Sequence, residues 1–333
     1  MTPAVQLHRA RPASAPRPVA IDTDPGIDDA LALLLALRSP ELRVELITTV
    51  AGNVPVHVGT ANARRVLAWL ALPAWPVVAQ GAARPLRRPL HTAIAFHRDD
   101  GLGGMTTLRR PDGSLSYPVP ERPAAHRQAV QRLLQMVQRY GRDLTVIALG
   151  PLTNVARAIQ LAPAIMQQLG RLVIMGGAIG MPGNVSPVAE FNIFVDPHAA
   201  DVVFRAGLPL TLVPLDVTRQ VRLTHDVLQQ ACQGSTTHLM QAIHDLTQHP
   251  LQSQGEGLAM HDPLAVAVAI DPSLVTFTSL PVCVETRGLH TLGMTVADQR
   301  PSAYWLSDMP RLEVALEVEA TRMLELFATR VLA

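Results

Sequence analysis

Short, continuously apolar runs alternate along this chain with longer stretches in which apolar residues recur three and four positions apart. The first kind fits a strand buried on both faces, the second a helix with one face on a core. "PVAID" from Pro18 predicts a strand, and "DDALALLLAL" a helix whose first-turn acids suit the positive end of its dipole. "RVELITTV" and "PVVAQ" predict two further strands, with a helix over roughly 55–70 between them. "AAHRQAVQRLLQMVQRY" from Ala124 has helical spacing, and "LTVIAL", "RLVIMGG" and "LPLTLVPL" are strands. Between these, "GPLTNVARAI" opens a helix with Pro151 near its first turn. "DPHAADVVFRAG" has an Asp N-cap, a Pro at the first helical position and a Gly stop. Residues 222–271 read as mostly helical, "LVTFTSLPVCVETRG" as strands and "EVEATRMLELFATRVL" as a terminal helix. The alternation predicts an α/β fold: a single doubly wound domain with a mostly parallel central sheet covered on both faces. It is expected over residues 18–333, and the Pro-, Arg- and Ala-rich residues 1–17 as a disordered tail.

In such sheets ligands bind beyond the carboxyl ends of the strands, and the unusual residues of this chain fall there. "AIDTDPGIDDALAL" gathers Asp22, Asp24, Asp28 and Asp29 at one chain reversal. Taken singly, Asp28 or Asp29 charges a helix N-terminus and Asp22 bonds a turn. Together they repel: two unit charges ~4 Å apart cost about 4 kcal/mol at an effective dielectric near 20. Such a group either protonates or holds a cation, and an oxygen-only set without a Cys/His cluster favours Ca²⁺ or Mg²⁺. "AMHDPLAVAVAI" brings Asp262, expected as an N-cap with Pro263 at the first helical position, and His261, which titrates near neutrality. "AEFNIFVDP" puts Glu190 and Asn192 on one side of an extended segment. "FHRDDGLGG" places His97 before a glycine-rich loop, where a mobile surface loop is the plain alternative.

Composition narrows the partners. Hydrophobic residues make up 48% of 333, enough for a large core, and the net charge is +1 with 4% aromatics. Neither a basic face nor stacking platforms are implied, which argues against a nucleic-acid or membrane-surface partner. All 28 basic residues are Arg. Without a lysine, P-loop NTPases, Schiff-base enzymes and protein kinases are excluded. Cys232 and Cys283 make no disulfide framework and are expected as small buried residues; a cytoplasmic setting is expected.

"DTDPGIDDA" resembles the signature of the inosine–uridine-preferring nucleoside hydrolases. "TTVAGN", "DGLGG", "GPLTNVA", "MGG", "GNVSPVAEFNIFVDP" and "HDPLA" resemble further blocks of that family in order and approximate spacing. The resemblance implies a Ca²⁺-dependent hydrolase that cleaves the N-glycosidic bond of ribonucleosides, purine or pyrimidine, to ribose and free base, in nucleoside salvage. It implies a homodimer or homotetramer. By the same resemblance Asp24, Asp29 and Asp262 ligate Ca²⁺ through their side chains and Leu149 through its carbonyl. Asp28 accepts the ribose 2′-hydroxyl and Asn53 lies by metal and sugar. Asn184, Glu190 and Asn192 hold the other hydroxyls, Met175 meets the sugar face, and Asp22 supports the turn. Asp24 is the expected general base, His261 the expected leaving-group acid and His97 a second base-side residue. Arg98 stands where the family often has Gly, so His97 is open to displacement. The segment before "HDP" lacks the family's tyrosines, so His249, Gln252 or Gln254 are expected to meet the nucleobase. Two other readings remain: a haloacid-dehalogenase-like phosphatase, from Asp22 and Asp24, and a non-catalytic metal-dependent binder of nucleosides or sugars.

Overall fold

A computed structural model describes residues 15–333 except 71, 123, 126–127, 233–236, 254 and 301–304. The expected tail therefore lies outside the described residues up to position 14, as do Gln254 and the side chain of Cys232. Strand β1 (Arg17–Thr23) leads into helix α1 (Ile27–Leu37), then β2 (Leu42–Thr49), α2 (Val56–Trp69), β3 (Val77–Gln80) and a single turn α3 (Ile94–His97). The chain continues through α4 (Ala129–Tyr140), β4 (Thr145–Ala148), α5 (Thr153–Leu161), α6 (Pro163–Met166) and β5 (Arg171–Met175). Helices α7 (Phe191–Val195) and α8 (Pro197–Phe204) precede β6 (Leu210–Val213) and α9 (Leu215–Thr218). A two-stranded ribbon, β7 (Arg222–Leu223) and β8 (Leu258–Ala259), brackets α10 (His225–Cys232) and α11 (His238–Ser253). Last come α12 (His261–Ile270), β9 (Val275–Val284), β10 (Thr295–Ala297), β11 (Arg311–Val318) and α13 (Ala320–Phe327).

The main sheet runs β10-β9-β11-β6-β5-β4-β1-β2-β3. From β11 to β3 every neighbouring pair is parallel, and β9 and β10 add an antiparallel edge. The chain first winds outward from β1 to β2 and β3, then returns to the other side of β1 with β4. That makes the β1/β4 boundary the switch point, where adjacent loops leave in opposite directions and open a crevice.

The strands are apolar throughout because both faces are covered. Val19, Ile21, Ile147 and Val173 join the core beneath α1, α11 and α12. Their neighbours Ala20, Val146, Leu172 and Ile174 join the core beneath α4, α5 and α8. Helix α12 is buried from Asp262 to Ile270, so it carries apolar residues all round rather than on one stripe.

Four expected elements differ. The helix expected from Ala124 begins at Ala129, because Ala125 instead pairs in parallel with Ala79 beside β3. The terminal helix expected from Glu317 begins at Ala320, because Glu317 and Val318 complete β11 against β9. Glu190 and Asn192 belong not to an extended segment but to the start of α7. Asp262 is not an N-cap; Met260 holds that position, and Asp262 lies within the first turn of α12 with its carboxylate turned to the aspartates after β1. Cys283, on β9 near the sheet's antiparallel edge, is half-buried rather than buried.

Asp196 ties three elements together. It caps α8 through the Ala199 N–H at 3.0 Å, and its other oxygen accepts the Leu86 N–H (2.8 Å) and the Thr153 hydroxyl (2.7 Å). Asp196→Ala leaves three donors short of an acceptor in a fully buried place. The expected loss is about 3 kcal/mol, read as a lower urea midpoint; an unchanged midpoint would show that these contacts do not hold the junction.

Candidate active site

The tight turn after β1 places its aspartates at the switch point. Gly26 caps α1, and Asp29, at the third helical position, reaches back to accept the Gly26 N–H at 2.9 Å. Asp29 also accepts the Asp24 N–H (3.2 Å), the Asn53 side-chain amide (3.0 Å) and the Thr23 hydroxyl. Donors on both of its oxygens thus fix its orientation.

Asp24 is different. One oxygen accepts the Asn53 N–H at 2.6 Å, while Oδ1 is buried with no hydrogen-bond partner. The carboxylate fits a notch between Gly52 and Gly150, and a Cβ on either glycine would overlap it. Both glycines follow strands, β2 and β4, so the notch is built from two strand ends.

Asp28, Asp29 and Asp262 each offer an oxygen within 4.8 Å of the others. Burial raises all four acids above the ordinary carboxylate value, and their mutual repulsion adds to this for Asp24, Asp28 and Asp262. Asp28 reaches about 8, by burial first and then the charge of Asp29. None of the leading influences on them is a positive charge. An unpartnered buried oxygen, converging carboxylates and a nearby main-chain carbonyl are donors that suit a hard divalent cation. Leu149, just past β4, supplies that carbonyl: it accepts the Asn192 amide at 2.6 Å and keeps a second lone pair. Asp22 lies behind, bonded by Thr48 (2.5 Å) and Asn154 (2.7 Å), and burial lifts it to about 6.

Above this floor lies a cavity of about 460 Å³. Of the residues expected to meet catalysis, metal or sugar, all but the buried Asp24 and Asp29 line it: Asp28, Asn53, His97, Leu149, Met175, Asn184, Glu190, Asn192, His261 and Asp262. Glu190 caps α7 through the Asn192 (2.9 Å) and Ile193 (3.2 Å) N–H groups and accepts the Gly177 N–H (3.0 Å); burial lifts it to about 7. The Asn192 amide also lies 3.3 Å from the Met175 carbonyl. Asn184, exposed at the rim, accepts the Phe191 N–H at 2.8 Å and keeps its amide donors.

Two histidines enter from opposite elements. His97 is not on a loose surface loop: it is buried, and its Nδ1 accepts the Ile27 N–H at 3.1 Å. Arg98 does not displace it, because Arg98 itself takes the glycine-like φ of 60° that the turn demands. Burial lowers His97 to about 3, with His261 adding to the effect. His261 is lowered to about 4 by burial and then by Arg219 and Arg222, so both rings are neutral at physiological pH.

The expected nucleobase contacts fall elsewhere. His249 faces Arg98 at 3.2 Å, Gln252 is exposed, and neither lines the cavity. The apolar face of α11 (Leu239, Ile243, Leu246) is drawn into the core, which turns its last residues toward the Arg98 loop. The cavity wall is built instead by His91, Thr92, Phe96 and Phe191. Phe191 was hidden by the assumption of an extended chain, in which it would point away from Glu190 and Asn192. A helical turn rotates successive residues by about 100°, and all three reach the cavity. His91 lies in a segment without regular periodicity and carried no signal.

A doubly wound sheet with a carboxylate-floored, nucleoside-sized cavity at its switch point defines an enzyme of the nucleoside hydrolase class. The chain belongs to the inosine–uridine preferring nucleoside hydrolase family, whose model matches residues 19–325. It is 40% identical over 284 residues to a non-specific ribonucleoside hydrolase of Salmonella enteritidis, covering 84% of this chain and 87% of that one. Against the protein of the same description from Escherichia coli it is 40% identical over 305 residues, with 91% and 94% covered. Among solved structures, a plant nucleoside hydrolase superposes with a TM-score of 0.84 at 33% identity, covering 96% of this chain and 99% of that one. A purine-preferring ribonucleoside hydrolase from Gardnerella vaginalis gives 0.84 and 33%, covering 95% and 98%. Membership in this family removes the phosphatase reading.

Proposed function

We propose that this enzyme hydrolyses the N-glycosidic bond of ribonucleosides in a Ca²⁺-dependent reaction, releasing ribose and free base for nucleoside salvage. The observation that carries the reading is the unpartnered Oδ1 of Asp24 amid buried, mutually repelling aspartates under a cavity of nucleoside size. Asp24, Asp29, Asp262 and the Leu149 carbonyl would hold the cation, and oxygen-only donors favour Ca²⁺. When bound, the cation supplies the positive charge that keeps these acids ionised and a Lewis-acidic anchor for sugar hydroxyls and water.

The chain's own groups divide the remaining work. Asp24 Oδ1 takes a proton from the water that attacks the anomeric carbon. As the C1′–N bond breaks, the ring gains positive charge, which the ionised carboxylates beneath it stabilise. Asp28 accepts the 2′-hydroxyl, with Asn53 beside it. Asn184, Glu190 and Asn192 hold the other hydroxyls, and Met175 packs on the sugar. The bonding pair leaves with the nucleobase, toward which His261 and His97 present N–H donors. Main-chain donors bonded to Asp29 and Glu190 hold both carboxylates in place before substrate arrives, so little ordering is left to the reaction.

The test is a reducing-sugar assay with inosine, uridine, cytidine and adenosine in the presence of Ca²⁺. Ribose is expected from at least one of them, and tight binding without any release would select the non-catalytic reading instead.

A further inference from the structure

The Thr218 hydroxyl lies 2.7 Å from Nδ1 of His261. Thr218 ends α9, the short helix after β6, and is fully buried. Its backbone N–H is spent on the Pro214 carbonyl at 3.2 Å. Among the described residues its hydroxyl makes no other hydrogen bond.

That isolation decides the direction of the bond. If Nδ1 carried the ring proton and gave it to Oγ1, the hydroxyl's own proton would be left in the core without an acceptor, at about 1–3 kcal/mol. With Thr218 donating, every proton is used. Nδ1 then accepts, and a neutral imidazole must carry its proton on Nε2. The two ring nitrogens point to nearly opposite sides, and His261 lines the cavity. The Nε2–H therefore faces the space above the sugar site.

We infer that Thr218 is a positioning residue that locks His261 as a neutral Nε2–H hydrogen-bond donor to the departing nucleobase. This rests on the reading of His261 as the donor on the leaving-group side. The ring gives a hydrogen bond to the charge that develops as C1′–N breaks and keeps its own proton; the base carries away the bonding pair and takes its proton from solvent. A preorganised donor of this kind stabilises the anion without moving, as oxyanion-hole donors do.

The test compares a base that leaves poorly with one that leaves without help. In Thr218→Val the ratio of kcat for inosine to kcat for p-nitrophenyl riboside should fall by on the order of tenfold, while Thr218→Ser restores it. Should the valine variant not fold, Thr218→Ala removes the hydroxyl without a branch. Equal losses on both substrates, or no loss, would overturn the inference. His261→Ala tests the underlying reading separately. If it lowers the ratio and Thr218→Val does not, only the role of Thr218 falls; if it leaves the ratio unchanged, the donor reading falls too. A second readout needs no turnover: ¹⁵N NMR of the histidine rings should give His261 as the Nε2–H tautomer in the parent and a mixture in Thr218→Val. A parent in the Nδ1–H form would also overturn the inference.

Discussion

Replacing Asp24 with alanine is expected to lower kcat for nucleoside hydrolysis by on the order of a thousandfold or more, with the fold intact. The substitution deletes the buried, unpartnered oxygen proposed as the general base and empties the notch between Gly52 and Gly150. Its structural cost is small. The Asn53 N–H loses its acceptor, a matter of about 1–3 kcal/mol. Against this, the ion-free protein loses one of several like charges crowded beside Asp28 and Asp29. Kinetics and a thermal melt on the same sample check both halves: a folded variant that still turns over nucleoside would take Asp24 out of the chemistry.

Removing divalent cations should have the second largest effect, and its size should depend on pH in a defined direction. Burial raises Asp28 to about 8, Asp22 to about 6 and Glu190 to about 7, from ordinary values of 3.8, 3.8 and 4.5. A carboxyl whose folded value lies above its unfolded one adds stability that is fully present below the unfolded value. That stability is lost as pH rises through the folded value. The chelated protein should therefore lose Tm between about pH 5 and 8. Ca²⁺ at a hundredfold excess over its Kd would add about 2.7 kcal/mol, and the gap between loaded and chelated protein should widen toward pH 8. Activity should vanish with chelator and return with Ca²⁺. A Tm at pH 8 indifferent to chelator would contradict the idea that Asp24, Asp29 and Asp262 hold a cation beside Asp28.

The site was legible in the sequence to the degree that its parts are local. Asp24, Asp28 and Asp29 crowd one turn, and a charge cluster that repels itself asks for an explanation wherever it folds. Asp262 was readable as a distant partner because a His-Asp-Pro step opens an otherwise wholly apolar helix. The N-cap expected of it goes to Met260 instead, since neighbours in space decide where a first-turn carboxylate points. Thr218 left no trace in the chain: a lone threonine in "PLDVTRQ" acquires meaning only when α12 brings His261 against it.

The same division holds for the fold. Apolar runs of four to eight residues, punctuated by helical spacing, settled the class of architecture, because strands buried on both faces and helices on one obey different periods. The chain order of those runs could not say that β4 returns beside β1, which is what opens the crevice. Nor could it say that Gly52 and Gly150, ninety-eight positions apart in number, close on one carboxylate. Backbone periodicity is a property of neighbours along the chain and is written in it. The hydrogen-bond direction at His261, the unpartnered oxygen of Asp24 and the wall of the cavity depend on contacts between distant segments, and those exist only once the sheet has formed.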